Sequence, residues 1–282
     1  MSVAIAYSAS KDDLYRPCEH ARFFPSGPPG SEAALCAEFS RLAYCQLSSS
    51  FAFDQNKIRE VLKTIRFTEC DFIETSSTHC FVARRPNELA VVAFRGTDAA
   101  DPTDLGEDAN LLLVPWQKGG KVHQGFSNAF KEVRDGIDRV LQPIRSRLLF
   151  TGHSLGAALA TLLASVRTPD FLYTFGSPRV GDAEFVATLK SVSNRRYVDC
   201  CDVVTRLPPE LFKFVHLGNP FYIGFDRSVK FNPDSGSVEA DQKLAREKYL
   251  IEYAWKIGTV ALRDLADHAP VNYVLPVSAD HS

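Results

Sequence analysis

No run of apolar residues in this sequence approaches the roughly 18 that a membrane span requires, so no transmembrane segment is expected. Basic residues are not in excess: 32 Lys and Arg stand against 34 Asp and Glu, a formal net charge of -2. That lack argues against nucleic acid as a partner, because proteins that grip a phosphate backbone carry a basic patch or a high pI. The start, MSVAIAYSASKDD, has a short apolar run and no positive n-region, so it does not read as a signal peptide. No two cysteines form C-x-x-C, which argues against a zinc ribbon or a thioredoxin-type redox pair. Seven cysteines, an odd number, stand at Cys18, Cys36, Cys45, Cys70, Cys80, Cys200 and Cys201. We read them as buried reduced thiols rather than disulfides, with Cys200 and Cys201 on alternate faces of a strand. The thiols and the missing signal together point to the cytoplasm rather than to secretion.

What the sequence does contain suits one large α/β domain over residues 1–282: the chain is 45% hydrophobic and long enough to bury a sizeable core. Residues 1–30 end in FFPSGPPG and read as an N-terminal arm rather than a core element. Ser31 is placed to cap a helix with Leu35, Phe39, Leu42 and Ala43 along one face, and Asp54 to cap a second. HCFVARRPNELAVVAF reads as a β-hairpin turning at Pro86 and Asn87. Strand and helix patterns then alternate through GFSNAFKEVRDGIDRVLQPI, RLLFTG, SLGAALATLLASV, FLYTFGS, DAEFVATLKSV and RRYVDCC. Such alternation implies right-handed crossovers and a mostly parallel central sheet with helices on both faces. FNPDSGSVEADQ is the loosest stretch, and residues 240–267 after it read as an extra helix.

The chemistry centres on Gly152-His153-Ser154-Leu155-Gly156. A G-x-S-x-G has meaning only where a buried strand gives way to a helix, and here RLLF precedes it and AALATLLASV follows. In that setting Ser154 sits on a strained turn at the carboxyl edge of the sheet, with flanking glycines that let strand and helix crowd together. A serine hydroxyl needs a base to take its proton, and the base needs an orienting carboxylate. The chain order on such a turn is serine, acid, histidine. Asp202, at the end of a strand two strands beyond the serine, is favoured over Asp199 inside that strand and over Asp182, which a helix N-cap explains. Only His216, His268 and His281 follow it, and His268 at the end of a long helix is favoured as the base. His153, beside the serine, is read as structural. The oxyanion of an acyl-transfer intermediate needs donors, and the Leu155 backbone N–H is one. Arg95-Gly96-Thr97, taken alone, is a strand-ending turn in which Thr97 could supply a second.

The ordered set FRGT, VHQGF, TGHSLGAALA, TFGSPRVGD, DVVTRLPP and DHAPVNY resembles the class 3 (fungal-type) lipase family of the α/β-hydrolase superfamily. The resemblance implies an α/β-hydrolase fold and hydrolysis of acylglycerols and related lipid esters without a cofactor. It implies Ser154, Asp202 and His268 as the triad and Thr97 with Leu155 as the oxyanion hole, and it puts His123 of VHQGF at a structural position. No metal site is expected: the acidic segment DAADPTDLGED after Thr97 lacks the spacing of a calcium loop and reads as solvated. It is also a poor amphipathic lid. The better candidate cover is the C-terminal helical segment with Leu244, Ile251, Trp255 and Leu262, although we read it as ordinary core rather than a lid. On either reading the expectation is weak interfacial activation, a preference for short- to medium-chain soluble esters, and transient contact with a lipid surface. The competing reading is a catalytically silent lipid- or partner-binding module on the same fold. Within enzymes, phospholipase and feruloyl esterase are the alternatives to lipase or esterase.

Overall fold

The computed structural model describes residues 5–19, 22–47, 50–96 and 111–280. Along the chain these form α1 (Lys11–Tyr15), α2 (Glu32–Leu42), α3 (Gln55–Thr64), β1 (Glu69–Glu74), β2 (His79–Arg85) and β3 (Leu89–Phe94). Next come β4 (Leu113–Pro115), β5 (Lys121–His123), α4 (Gln124–Leu141), β6 (Arg147–His153), α5 (Leu155–Val166), β7 (Phe171–Phe175), α6 (Ala183–Thr188) and β8 (Asn194–Asp199). Last are β9 (Pro220–Ile223), β10 (Val229–Phe231), α7 (Ser235–Glu252), α8 (Arg263–Ala266) and α9 (Pro270–Ala279). The described residues build an eight-stranded sheet in the order β1-β2-β3-β6-β7-β8-β9-β10. Its centre, β3 to β9, is parallel, while β1-β2-β3 and β9-β10 are antiparallel edges.

The central strands are apolar along their length because both faces are covered. All six residues of β3, LAVVAF, are buried. Val91 and Ala93 face one core with Phe39 of α2, Phe175 and Tyr273 of α9; Val92 and Phe94 face the other with Phe130 of α4 and Leu159 of α5. Each buried Val, Leu or Phe among them contributes roughly 1.5–3 kcal/mol. Helix starts follow their caps: Ser31 Oγ accepts from Ala34 N at 3.2 Å, Asp54 from Lys57 N at 3.0 Å and Asp182 from Phe185 N at 2.9 Å. Asn87 takes φ 63° in the β2–β3 turn. The edge strands β1 and β10, and β9 beside the latter, had no counterpart in the sequence reading. β1 carries charge, and Glu69 pairs across the strands with Arg84 at 2.9 Å, as edge strands tolerate.

Four expectations are corrected. First, residues before Gly30 do enter the core: Phe23 and Phe24 are buried. They cover the outer face of α2, where a buried Glu38–Arg41 ion pair at 2.7 Å lies under Phe23, so α2 is buried all round. Second, the seven cysteines are not all thiols, since Cys18 and Cys45 form a disulfide that ties this segment to the end of α2. Third, Cys200 and Cys201 lie in a turn beyond β8, both buried with sulfurs 3.7 Å apart, and not within the strand. Fourth, Leu244, Ile251, Trp255 and Leu262 are exposed and not core. α7 starts at Ser235 on an Asp234 cap, inside the stretch read as loose, and stops at Glu252; it buries only Ala245 and Tyr249.

Candidate active site

The turn from β6 to α5 places Ser154 at φ 59° and ψ -130°, a conformation that costs a non-glycine residue roughly 1–3 kcal/mol. The surroundings hold it there. Ser154 N donates to Phe175 O at 3.0 Å, at the end of β7. A Cβ on Gly152 would stand 2.3 Å from the Gly156 carbonyl, and one on Gly156 2.4 Å from Phe94 O. Both positions therefore admit only glycine, and this is what lets α5 begin hard against the sheet. Leu155 is the first residue of α5, where a helix leaves its amides without partners inside the helix.

Asp202 follows β8 and is fully buried. Its Oδ1 accepts from Val204 N at 2.9 Å, and its two oxygens lie 3.0 and 2.9 Å from His268 Nδ1. A carboxylate only accepts, so Nδ1 of His268 donates to Asp202 and the Nε2 edge of the ring is turned away from the acid. Tyr273 of α9 donates its hydroxyl to Asp202 Oδ2 and accepts from Asp199 N at 3.1 Å. Burial, then the Asp202 and Asp199 charges, push the Tyr273 phenol well up, so it stays a neutral donor.

Gly176 brings the serine turn and this pair together. It follows Phe175, the acceptor for Ser154 N, at φ 57°, and a Cβ on it would stand 2.9 Å from Asp202 Oδ2 and 3.2 Å from His268 Nδ1. On the other side, the His153 ring lies 4.4 Å from the His268 ring, centre to centre. His153 Nδ1 is 2.7 Å from the Tyr44 hydroxyl, and burial, then His268, push its pKa well below the ordinary value. Gly96 abuts the same group, since a Cβ there would meet Tyr44 Oη at 2.1 Å and His153 O at 2.8 Å. Thr97 itself, the acidic segment after it and His281 lie outside the described residues.

The other candidates stand elsewhere. His216 Nε2 donates to Thr205 O at 2.8 Å, Asp182 caps α6, and Asp199 forms a buried ion pair with Arg227 at 2.9 Å. His123 packs between Phe126 and Phe214. Sequence reasoning passed over Tyr44, Gly176 and Tyr273, although the glycine of TFGS and the tyrosine of DHAPVNY were in view. Cys200, Cys201 and Asp267 converge closely, but the set does not suit a cation. Asp267 is already held by Arg263 at 3.1 Å, Tyr7 at 2.8 Å and Cys201 N at 2.8 Å. Hydrogen bonding to Cys201, then burial, hold Cys200 as a thiol.

A parallel sheet with a serine on its strand-to-helix turn, and a carboxylate and histidine on later loops of the same edge, defines an α/β-hydrolase. Residues 91–212 match the family described as Lipase (class 3). The chain is 34% identical over 226 residues to the lipase of Rhizomucor miehei, covering 69% of this chain and 61% of that one. It is 37% identical over 142 residues to secreted mono- and diacylglycerol lipase 1 of Fusarium solani, covering 46% and 39%. The solved structure of the lipase from Rhizopus microsporus var. chinensis shares the fold, with a TM-score of 0.57 over 86% of this chain and 95% of that one at 20% identity. The family match thus covers residues 91–212 of this chain, which spans 61% of the Rhizomucor relative and 39% of the Fusarium one.

The cytoplasmic expectation is overturned here. The Fusarium relative is by name a secreted enzyme, and the Cys18–Cys45 disulfide removes the argument from an all-thiol chain. No helix among the described residues is long and apolar enough to cross a membrane.

Proposed function

We propose that this chain is a serine carboxylic ester hydrolase acting on acylglycerol-type lipid esters. The observation that carries the reading is the convergence at Gly176, which touches the Asp202–His268 pair and directly follows the residue holding Ser154 in its strained turn. Ser154 Oγ attacks the ester carbonyl while His268 Nε2 takes its proton; Asp202 fixes the tautomer and stabilises the imidazolium. The Leu155 amide and Thr97, through its amide and hydroxyl, receive the oxyanion. His268 then protonates the departing alcohol, and water repeats the sequence on the acyl-enzyme, releasing the fatty acid. The steps need water and no cofactor.

Residues 1–282 act as one unit in this proposal. Its support is that Ser8 and Asn272 exchange hydrogen bonds at 2.9 and 2.8 Å, so the N-terminal segment braces the helix that follows the base. Titrated release of butyrate from tributyrin tests the reading. Wild type hydrolyses, His268→Ala loses several orders of magnitude, and His216→Ala keeps most of the rate. The reverse order for the two histidines, or no hydrolysis by wild type, overturns it.

A further inference from the structure

Five large apolar side chains stand in the open between Leu250 and Leu262. Leu250 is 57% exposed, Ile251 73%, Trp255 72%, Ile257 104% and Leu262 55%. Single exposed apolar residues are ordinary, but a cluster of this kind marks an interaction surface. It is a built knuckle rather than a loose end. On its outer side Trp255 Nε1 donates to Ile251 O at 2.8 Å. On its inner side the Tyr249 hydroxyl donates to Val260 O at 2.6 Å, and the Tyr253 ring packs 5.2 Å from Tyr249 and 5.8 Å from Tyr7. The N-terminal segment pins it from below through Lys11 N to Gly258 O at 2.9 Å and Val260 N to Ala9 O at 2.8 Å. Side chains with apolar tips are thus held outward by a fixed base, unlike a lid that must swing.

The charges around the knuckle indicate what it meets. Around the knuckle Lys243, Lys248 and Lys256 stand against Glu247 and Glu252, Arg246 being neutralised by Asp264, in a chain whose formal net charge is -2. Lys256 Nζ lies 4.9 Å from the Tyr253 ring centre and 5.7 Å from that of Trp255, beside the apolar tips rather than away from them. An exposed tryptophan and aliphatic tips with lysines at their margin match a lipid–water boundary with anionic headgroups. A second copy of this face is a poor match, because it would set Lys248 and Lys256 against their own counterparts. The knuckle also continues into the candidate site. Arg246 of α7 grips Asp264 of α8 at 2.7 Å, Asp264 O accepts from Val203 N at 3.1 Å beside Asp202, and the chain then runs to His268.

We propose that residues 250–262 are a fixed anchor that seats this chain on an anionic lipid surface, next to the loops that carry Asp202 and His268. The proposal rests on the ester-hydrolase reading for the purpose of the anchor, but the binding itself is tested apart from turnover. The full chain carrying Ser154→Ala is mixed with vesicles of phosphatidylcholine containing about 30% phosphatidylserine, and with phosphatidylcholine alone. Trp255 is the exposed one of the two tryptophans, Trp116 being buried, so insertion reads directly as a blue shift of emission. The expected result is partition into the anionic vesicles with that shift. The triple variant Ile251→Ser, Trp255→Ser, Ile257→Ser loses roughly tenfold or more in partition and keeps wild-type turnover of a water-soluble ester when Ser154 is present. Lys248→Glu with Lys256→Glu lowers partition into anionic vesicles and leaves phosphatidylcholine binding unchanged. Wild-type failure to bind, or equal binding by the triple variant, overturns the anchor. So does a concentration-dependent dimer abolished by the triple variant, since the face then joins two copies. Absence of soluble-ester turnover in wild type would instead sink the hydrolase reading and leave the vesicle result to stand alone.

Discussion

Tyr273 and His268 meet on one carboxylate: the tyrosine hydroxyl donates to Asp202 Oδ2, the same oxygen that lies 2.9 Å from His268 Nδ1. The phenol shares the load of a buried charge and fixes the plane of the acid against the ring of the base. Tyr273→Phe removes that donor and also the acceptor for Asp199 N. A hydrogen bond to a charged group is worth about 1.5–3 kcal/mol, and a buried amide left unpaired costs about 1–3 kcal/mol. We expect kcat to fall about tenfold, which corresponds to 1.4 kcal/mol on the barrier, with KM little changed and Tm lowered. Steady-state kinetics with a soluble ester checks this; an unchanged kcat would mean that the hydroxyl does not position Asp202.

Gly176 has no room for a side chain. At φ 57° an alanine is strained, and its Cβ would press on Asp202 Oδ2 at 2.9 Å. Overpacking of this kind typically costs about 1–3 kcal/mol and moves the neighbours. The neighbours here are the acid and the base, so Gly176→Ala should lower kcat about a hundredfold, more than its modest loss of Tm alone explains. A variant with full kcat would show that the pair tolerates displacement and that the convergence at Gly176 is incidental.

His153 gives a pH signature to stability. Burial, then the neighbouring His268, hold its pKa well below the ordinary 6.5. As pH falls through about 6.5, the unfolded chain takes up the proton first and the folded chain does not. The stability from this group is therefore present above that pH and lost below it, by up to about 1.4 kcal/mol per pH unit. Buried Asp199 and Asp267, whose pKa values are raised by burial, act in the opposite sense in wild type and variant alike. The difference in unfolding free energy between wild type and His153→Asn isolates the histidine. We expect that difference to shrink from pH 7 to pH 5; a constant difference would mean that His153 protonates in the folded state.

Much of this arrangement was legible in the sequence because it depends on local rules. The hairpin, the parallel strands and the caps at Ser31, Asp54 and Asp182 each follow from turn chemistry and period. The pairing of Asp202 with His268 was reachable from chain order. Tyr273 and Gly176 were not, because their contacts are made across 71 residues in one case and by a missing Cβ in the other. The charged edge strand β1 hid behind Glu69, Asp71 and Glu74, which blur an alternating pattern. The stripe from Leu244 to Leu262 had helical spacing, but spacing cannot tell a face that packs from one that meets a surface. The odd cysteine count was compatible with one bridge and five thiols, and composition alone could not pair Cys18 with Cys45.

The central claim is that Ser154 is the nucleophile, and a serine-reactive fluorophosphonate probe tests it without any assumption about substrate. Native protein should take up one probe per chain, with the modified peptide spanning Leu148–Val166, and Ser154→Ala should stay unlabelled while its Tm remains close to wild type. Native protein that stays unlabelled beside a reactive control hydrolase, or a Ser154→Ala variant that labels as well as wild type, would contradict the account.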